Sequence, residues 1–327
     1  MKKIKVIMIG FGKVAAQYLN DPIMGKKFRY STHIQGLTKN NNFDVSCVVD
    51  KNKTARNIAK KQFKIQNVYS SIDKVKNIDE YSVVIISTPP EYRLSLLKRI
   101  KNIKFLILEK PLSLSYLESK KIFNYCTKRN IVTIVNFWRR FVPQFEKLAE
   151  GKLSELIGNI QSVNIFYTDG LKNNGIHLID FARFLVGEIK TLYEIKDSLR
   201  YKTYSLKNDK NVFFSGVFFN KVPLYGIALD SKHFRENGIE IFGTKGKLSI
   251  LNDCREMFIQ YLQKHRGISG FNELNYEKIN FLKVDYDLAM LNLYKILFQI
   301  IKKKYKNISP ISSALENEKL INKLIST

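Results

Sequence analysis

The chain has 327 residues, 45% hydrophobic and 12% aromatic, which excludes a disordered protein because that much apolar surface can offset the entropy of ordering. Lys and Arg number 55 against 29 Asp and Glu, a formal charge of +26. Of these cations 43 are Lys and 12 Arg, spread along the chain with Asn and Ile, which points to an A/T-rich coding sequence rather than to the Arg forks that read bases.

The length predicts two domains. No run approaches the roughly 18–20 apolar residues of a membrane span, and neither a signal peptide nor an anchor is expected after Met1-Lys2-Lys3. Cys47, Cys126 and Cys254 stand far apart in apolar settings, and the four histidines are not spaced as ligands. Buried thiols in a reducing cytoplasm and no metal site are the expectation.

Short β-branched runs at 5–9, 45–49, 83–87, 105–108 and 131–135 alternate with amphipathic stretches at 54–62, 91–100 and 115–129. Apolar runs without polar alternation, separated by helices, predict a parallel sheet covered on both faces, a doubly wound Rossmann α/β domain over 1–135. The first run enters Gly10-Phe11-Gly12-Lys13-Val14-Ala15. Here Gly10 makes the tight turn, Gly12 lets a pyrophosphate approach the backbone, and Ala15 lets helix and strand pack closely. A helix starting at this point would offer N–H groups to the phosphates. Gly10, Phe11, Gly12, Lys13 and Val14 are thus candidate cofactor residues. Residues 21–39, with Pro22, Gly25 and Gly36, read as an insertion in the first crossover.

The second run ends at Asp50, placed to accept hydrogen bonds from an adenosine ribose. Its carboxylate repels a 2′-phosphate, so NAD is preferred to NADP, although Lys51, Lys53 and Arg56 are cations beside which such a phosphate could sit. The run 83–87 leads into Ser87-Thr88-Pro89-Pro90, where consecutive prolines force a turn at the ligand-binding edge of the sheet. The run 105–108 leads into Glu109-Lys110-Pro111 at that same edge. Ser87, Thr88, Pro89, Glu109 and Lys110 are assigned to the cofactor side, and partial desolvation of the Lys110 ammonium would suit it to proton transfer.

Beyond residue 141 the texture changes. A helical stretch at 141–149, a strand at 160–167 and a helix at 176–185 precede alternating runs at 191–196, 212–219, 224–229, 239–242, 247–250 and 257–262. This predicts a second, α+β domain over 136–327 with a large, mostly antiparallel open sheet. Helices at 284–303 and 312–325 close the chain, the latter with Ser312 or Ser313 as N-cap.

The Gly-rich turn, Ser87-Thr88-Pro89-Pro90 and Glu109-Lys110-Pro111, each closing a successive strand, together resemble the glucose-fructose oxidoreductase and inositol dehydrogenase family (Gfo/Idh/MocA). Residues 136–143 are similar to its segment entering the second domain, and 239–246 to its late strand-turn signature. The family also carries Asp-x-Gly-x-His followed shortly by Asp. This chain has Asn173-Asn174-Gly175-Ile176-His177 and Asp180, so Asn173 replaces the acidic residue. By spacing, His177 and Asp180 share a helix face and could form an orienting pair.

The resemblance implies an NAD(P)-dependent oxidoreductase acting on a hydroxyl or keto carbon of a sugar or sugar derivative. Nucleotide-linked sugars of surface-polysaccharide biosynthesis fall within that class. Lys110 and His177 are the catalytic candidates. Asn173, Asp180 and Tyr167 are placed on the substrate side, with Asp169 and Lys172 at the same cleft mouth. Arg139 and Arg140 either hold an anionic substrate or pack at the domain interface. A homo-dimer or homo-tetramer, joined through the open sheet face, is also implied. A catalytically weak regulatory member that binds dinucleotide is the alternative that Asn173 keeps open, while nucleic-acid binding rests on charge alone.

Overall fold

The computed structural model describes residues 3–196, 198–206 and 208–326. They form two compact units. The first runs to Phe141 and also takes Asp287–Glu318; the second holds Val142–Tyr286 and the residues from Lys319 onward.

In the first unit, strands β1 (Ile4–Ile9), β2 (Phe43–Val49), β3 (Asn67–Tyr69), β4 (Val83–Ile86), β5 (Phe105–Leu108) and β6 (Val132–Val135) form one sheet in the order β3-β2-β1-β4-β5-β6. Every pairing is parallel. The expected doubly wound sheet is therefore present, and β4 is buried throughout, as two covered faces require. Strand β3 has three residues, too few to stand out as a periodic run.

Helices α1 (Met24–Lys27), α2 (His33–Thr38), α3 (Lys53–Lys61), α4 (Arg93–Arg99) and α5 (Tyr116–Lys128) fill the crossovers. Local chemistry starts several of them: the Asn52 side chain accepts from Thr54 N at 2.8 Å, and Ser115 caps α5 through Glu118 N.

The first crossover departs from expectation. No regular α-helix opens at Gly12; the chain makes one wide turn, with Ala16 N on Gly12 O at 2.9 Å, then a 3₁₀ turn at Gln17–Asn20. The α-helical path resumes at His33, whose N–H donates to Val14 O at 3.1 Å, and Ile34 N follows on Ala15 O at 3.0 Å. The insertion is thus looped out of the helix, and 33–38, read as part of it, is the crossover helix itself. Carbonyls opened by the break regain donors from the resumed segment, as buried backbone must.

The second unit begins with α6 (Pro143–Lys147), a π-turn at Leu148–Lys152 and α7 (Leu153–Ile157), followed by β7 (Ile160–Thr168) and α8 (Ile176–Val186). Strands β8 (Ile189–Glu194), β9 (Phe214–Phe218), β10 (Pro223–Leu229), β11 (Gly238–Gly243), β12 (Gly246–Leu251), β13 (Glu256–Lys264), β14 (Asn272–Leu274) and β15 (Asn280–Leu282) complete it. The path is β14-β13-β12-β11-β7-β10-β9-β8, with β15 also on β13. Only β10 with β7 runs parallel; the other pairings are antiparallel. In β10, Leu224, Gly226 and Ala228 are buried while Tyr225 is exposed, which is the alternation of a sheet packed on one face.

The chain then returns to the first unit through α9 (Ala289–Ile301) and enters α10 (Ile311–Ser326). This differs from a division into 1–135 and 136–327. The returning segment lies along the edge strand β6: Val135 N donates to Ser309 O at 2.9 Å, Ser309 Oγ to Val135 O at 2.7 Å, and Asn307 Nδ2 to Thr133 O at 2.8 Å. An edge with open backbone groups gains a cover, which is the physical reason for the return. Helix α10 starts at Ile311, directly after Pro310, so neither Ser312 nor Ser313 is its N-cap.

Candidate functional site

At the end of β1, Gly10 has φ +90°, and a Cβ there would lie 2.9 Å from Ser87 C and Thr88 N. Only glycine fits this turn against the end of β4. At Gly12 a Cβ would meet nothing within 4 Å, so the turn faces open space, as close approach of a pyrophosphate needs. Asp50 reaches the same turn: its Oδ2 accepts from Phe11 N at 2.6 Å and its Oδ1 from Asn52 N at 2.7 Å. Arg56 donates to the carbonyls of Asp50 and Lys51 at 2.8 and 2.7 Å. Phe11 is buried, edge-on to Phe63, and its backbone is engaged by Asp50 and by Gln17 Nε2, which donates to its carbonyl at 3.1 Å. Lys13 is exposed and Val14 partly so.

Beside the turn, Ser87 Oγ donates to Gly10 O at 3.3 Å. Among the described residues, Thr88 Oγ1 is buried with no hydrogen-bond partner. The open space at Gly12 and this orphaned hydroxyl at the carboxyl edge fit a dinucleotide.

Arg93, in the first turn of α4 and 2% exposed, ties the two edge loops together. It donates through Nε and Nη2 to Thr88 O at 3.2 and 3.0 Å, and through Nη1 to the carbonyls of Glu109 and Pro111. Burial lowers its pKa to about 10, opposed by Glu109, Glu318 and Glu91, so it stays charged at neutral pH. Leu112 N donates to Glu318 Oε1 at 2.9 Å. Between these anchors sits Lys110, half-buried. Glu109 itself is buried, and one carboxylate oxygen accepts from Asn136 Nδ2 at 2.6 Å and meets His33 Nε2 at 2.8 Å. Burial pushes this carboxyl up, but the His33 hydrogen bond and charge, Asn136 and Arg93 outweigh it, holding its pKa below the usual value. One oxygen of Glu109 is therefore engaged by protein.

In the second unit, residues 169–175 join β7 to α8 through a π-turn, Leu171–Gly175. Asp209 braces this turn, accepting from Lys172 N at 3.0 Å and Asn173 N at 2.9 Å. Asn173 Nδ2 donates to Asp169 O and Oδ2 at 3.2 and 3.3 Å. Burial pushes the Asp169 carboxyl up, but the Ser205 hydroxyl and the backbone N–H groups of Tyr204 and Ser205 outweigh it, leaving the pKa low. An amide at 173 can thus donate to an ionised neighbour where an acidic residue would repel it. His177 lies half-buried in the first turn of α8, and Asp180, one turn on, is 1% exposed.

Several expectations are corrected. Tyr167 is fully buried, its hydroxyl donating to Val212 O and accepting from Val212 N at 2.7 Å, so it is core rather than substrate contact. Asp180 is buried in α8, which leaves its carboxylate little surface for a substrate. Arg140 is buried and donates to Ile308 O at 2.7 Å and Ser313 Oγ at 2.9 Å, clamping the returning segment. Arg139 is 4% exposed and its guanidinium stacks 4.6 Å over Trp138. Arg140 thus serves the fold, while Arg139 packs on Trp138. Sequence reasoning missed Arg93 and Tyr294, because nothing local separates a clamp from a helical residue. His33 carried one signal, the Thr32 cap just before it.

Residues 4–137 match the model of an oxidoreductase family with an NAD-binding Rossmann fold. The rhizopine catabolism protein MocA of Rhizobium meliloti is 23% identical over 193 residues, 54% of this chain. This chain spans 60% of that relative's length. The 2,7-anhydro-N-acetylneuraminate hydratase of Escherichia coli is 24% identical over 65% of this chain and 62% of its own. Among solved structures, levoglucosan dehydrogenase in complex with NADH and levoglucosan aligns over 99% of this chain and 97% of its own, with TM-score 0.78 and 17% identity. A super-repressor mutant of Gal80p from Saccharomyces cerevisiae aligns over 99% and 96%, with TM-score 0.74 and 15% identity. Over residues 4–137 the chain thus matches the Gfo/Idh/MocA oxidoreductase family.

Proposed function

We propose that the chain is an NAD(P)-dependent oxidoreductase that moves a hydride at a hydroxyl or keto carbon of a sugar-like substrate. The observation that carries this is the Lys110 loop, tied by Arg93 to the Thr88 loop beside the open space at Gly12. A bound nicotinamide dinucleotide would supply the hydride donor or acceptor. The backbone of 12–14 would hold its pyrophosphate, since the N–H groups of Gly10 and Phe11 serve Val49 O and Asp50, and Asp50 would hold its ribose hydroxyls; a carboxylate retains acceptor capacity beyond the two bonds it makes here. That carboxylate favours NAD over NADP. Lys110 Nζ, on a fixed loop, would hold or move the alcohol proton, with His177 as the second acid/base candidate.

For the substrate, sugar-like chemistry is supported by two similar proteins whose names carry anhydro-sugars. A nucleotide-linked sugar is the finer reading. With Arg139 and Arg140 buried, its support is a cavity of about 620 Å³ in the second unit, lined by Lys196, Arg200, Lys202 and Lys210 with Glu194 and Asp209.

The alternative, a regulatory dinucleotide-binding protein, is favoured by Asn173 and by the fold shared with Gal80p. Turnover separates the two. Wild-type protein should reduce NAD with a member of a sugar and nucleotide-sugar panel, while Lys110→Ala loses turnover and keeps its NADH affinity. NADH binding with no turnover across the panel would favour the regulatory reading, and wild-type turnover in Lys110→Ala would remove the role given to Lys110.

A further inference from the structure

Three side chains outside the roles above form a buried chain that ends one residue from Lys110. Tyr294, on α9, has its hydroxyl 2.6 Å from His33 Nδ1, and His33 Nε2 lies 2.8 Å from Glu109 Oε1. Tyr294 and His33 are both 0% exposed. The same carboxylate oxygen takes the Asn136 amide at 2.6 Å. An ionised carboxylate only accepts, so His33 donates to it through Nε2, and the Tyr294 hydroxyl completes the ring's other hydrogen bond at Nδ1.

Helices α2 and α9 meet closely for this purpose. A Cβ at Gly36 would lie 2.6 Å from Met290 O and 2.8 Å from Tyr294 Cδ2. The backbone of His33 is also where the interrupted helix rejoins the Gly-rich turn, through Val14 O. One residue therefore touches both the turn expected to hold the pyrophosphate and the loop that carries Lys110.

We propose that His33 and Tyr294 are positioning residues for Lys110: Tyr294 orients the His33 ring, His33 fixes the Glu109 carboxylate, and Glu109 sets the Lys110 backbone. The proposal rests on the acid/base role of Lys110 only for its effect on turnover. Stability alone does not explain such a chain, since well-packed apolar residues often replace buried ionic groups at no loss. What they cannot reproduce is a directional hold on one carboxylate.

The test reads Lys110 without needing a substrate. Competitive acetylation with acetic anhydride, followed by mass spectrometry, gives the reactivity of Lys110 relative to exposed Lys264. His33→Leu removes the donor and should change that ratio by about threefold or more, equivalent to about half a pKa unit. His33→Gln places an amide near the Nε2 position and should restore the ratio. Tyr294→Phe should shift it in the same direction as His33→Leu, and decides the matter if His33→Leu does not fold. With a panel substrate that wild type turns over, His33→Leu should lower kcat by about ten- to a hundredfold with KM little changed, and His33→Gln should recover it. Folded His33→Leu or Tyr294→Phe with the wild-type ratio, or a Gln variant that fails to rescue, overturns the proposal. A wild type inactive on every substrate with the labelling shifts intact would instead overturn only the assigned reaction.

Discussion

The Arg93 guanidinium donates twice to the carbonyl oxygen of Thr88, at 3.2 and 3.0 Å, while its third nitrogen serves the carbonyls of Glu109 and Pro111. A single planar fork thus sets the spacing of the two loops that close β4 and β5. Lysine cannot serve three carbonyls in this geometry. Arg93→Lys and Arg93→Met are both expected to destabilise the protein by about 3 kcal/mol, since charged hydrogen bonds are lost and buried carbonyls go unpaired. Urea midpoints measure this, and a loss under about 1 kcal/mol would count against the clamp.

Two glycines of one turn should respond oppositely. Gly10→Ala meets backbone at 2.9 Å with φ +90°, so a loss of about 2–3 kcal/mol is expected. Gly12→Ala enters open space and should leave stability within about 1 kcal/mol of wild type. Its methyl would occupy the phosphate approach, weakening NADH binding by about tenfold. Fluorescence titration of NADH with both variants checks the contrast.

The lowered pKa of Glu109 gives stability a pH dependence. Because the folded value lies below the unfolded one, the contribution is complete above the ordinary carboxyl value of about 4.3. It is lost as pH falls through the folded value. Glu109→Gln should be less stable than wild type at pH 7, with the difference shrinking from about pH 5 downward. Urea midpoints at pH 7, 5, 4 and 3 test the sign. A gap that widens on acidification would show that the carboxylate is not held ionised.

The open face of the second unit's sheet carries Tyr225, 46% exposed, and Tyr193, 62% exposed, on strands β10 and β8. If that face joins copies of the chain, Tyr225→Lys should shift the sedimentation coefficient toward monomer without changing the circular dichroism. An unchanged oligomer would place the contact elsewhere, and a monomeric wild type would remove the expectation.

The fold class was legible in sequence because covered parallel strands must be continuously apolar and half-open antiparallel ones must alternate; both signals are local. The Gly-rich turn was legible for the same kind of reason: Gly10 has a backbone demand that no other residue meets. Lys110 and His177 stood out through motif spacing. What sequence could not reveal depended on distance along the chain. Arg93 meets the carbonyl of Glu109, Arg140 that of Ile308, and Tyr294 reaches His33, joining residues that no periodicity relates. Tyr167 looked like a ligand contact, but its buried hydroxyl is held by Val212, because a polar side chain announces its chemistry but not its exposure. The sequence by itself determined the longer strands and where the Gly-rich turn lies. Tertiary structure decided which polar groups are left to face a ligand, since hydrogen bonding between distant segments consumes the others.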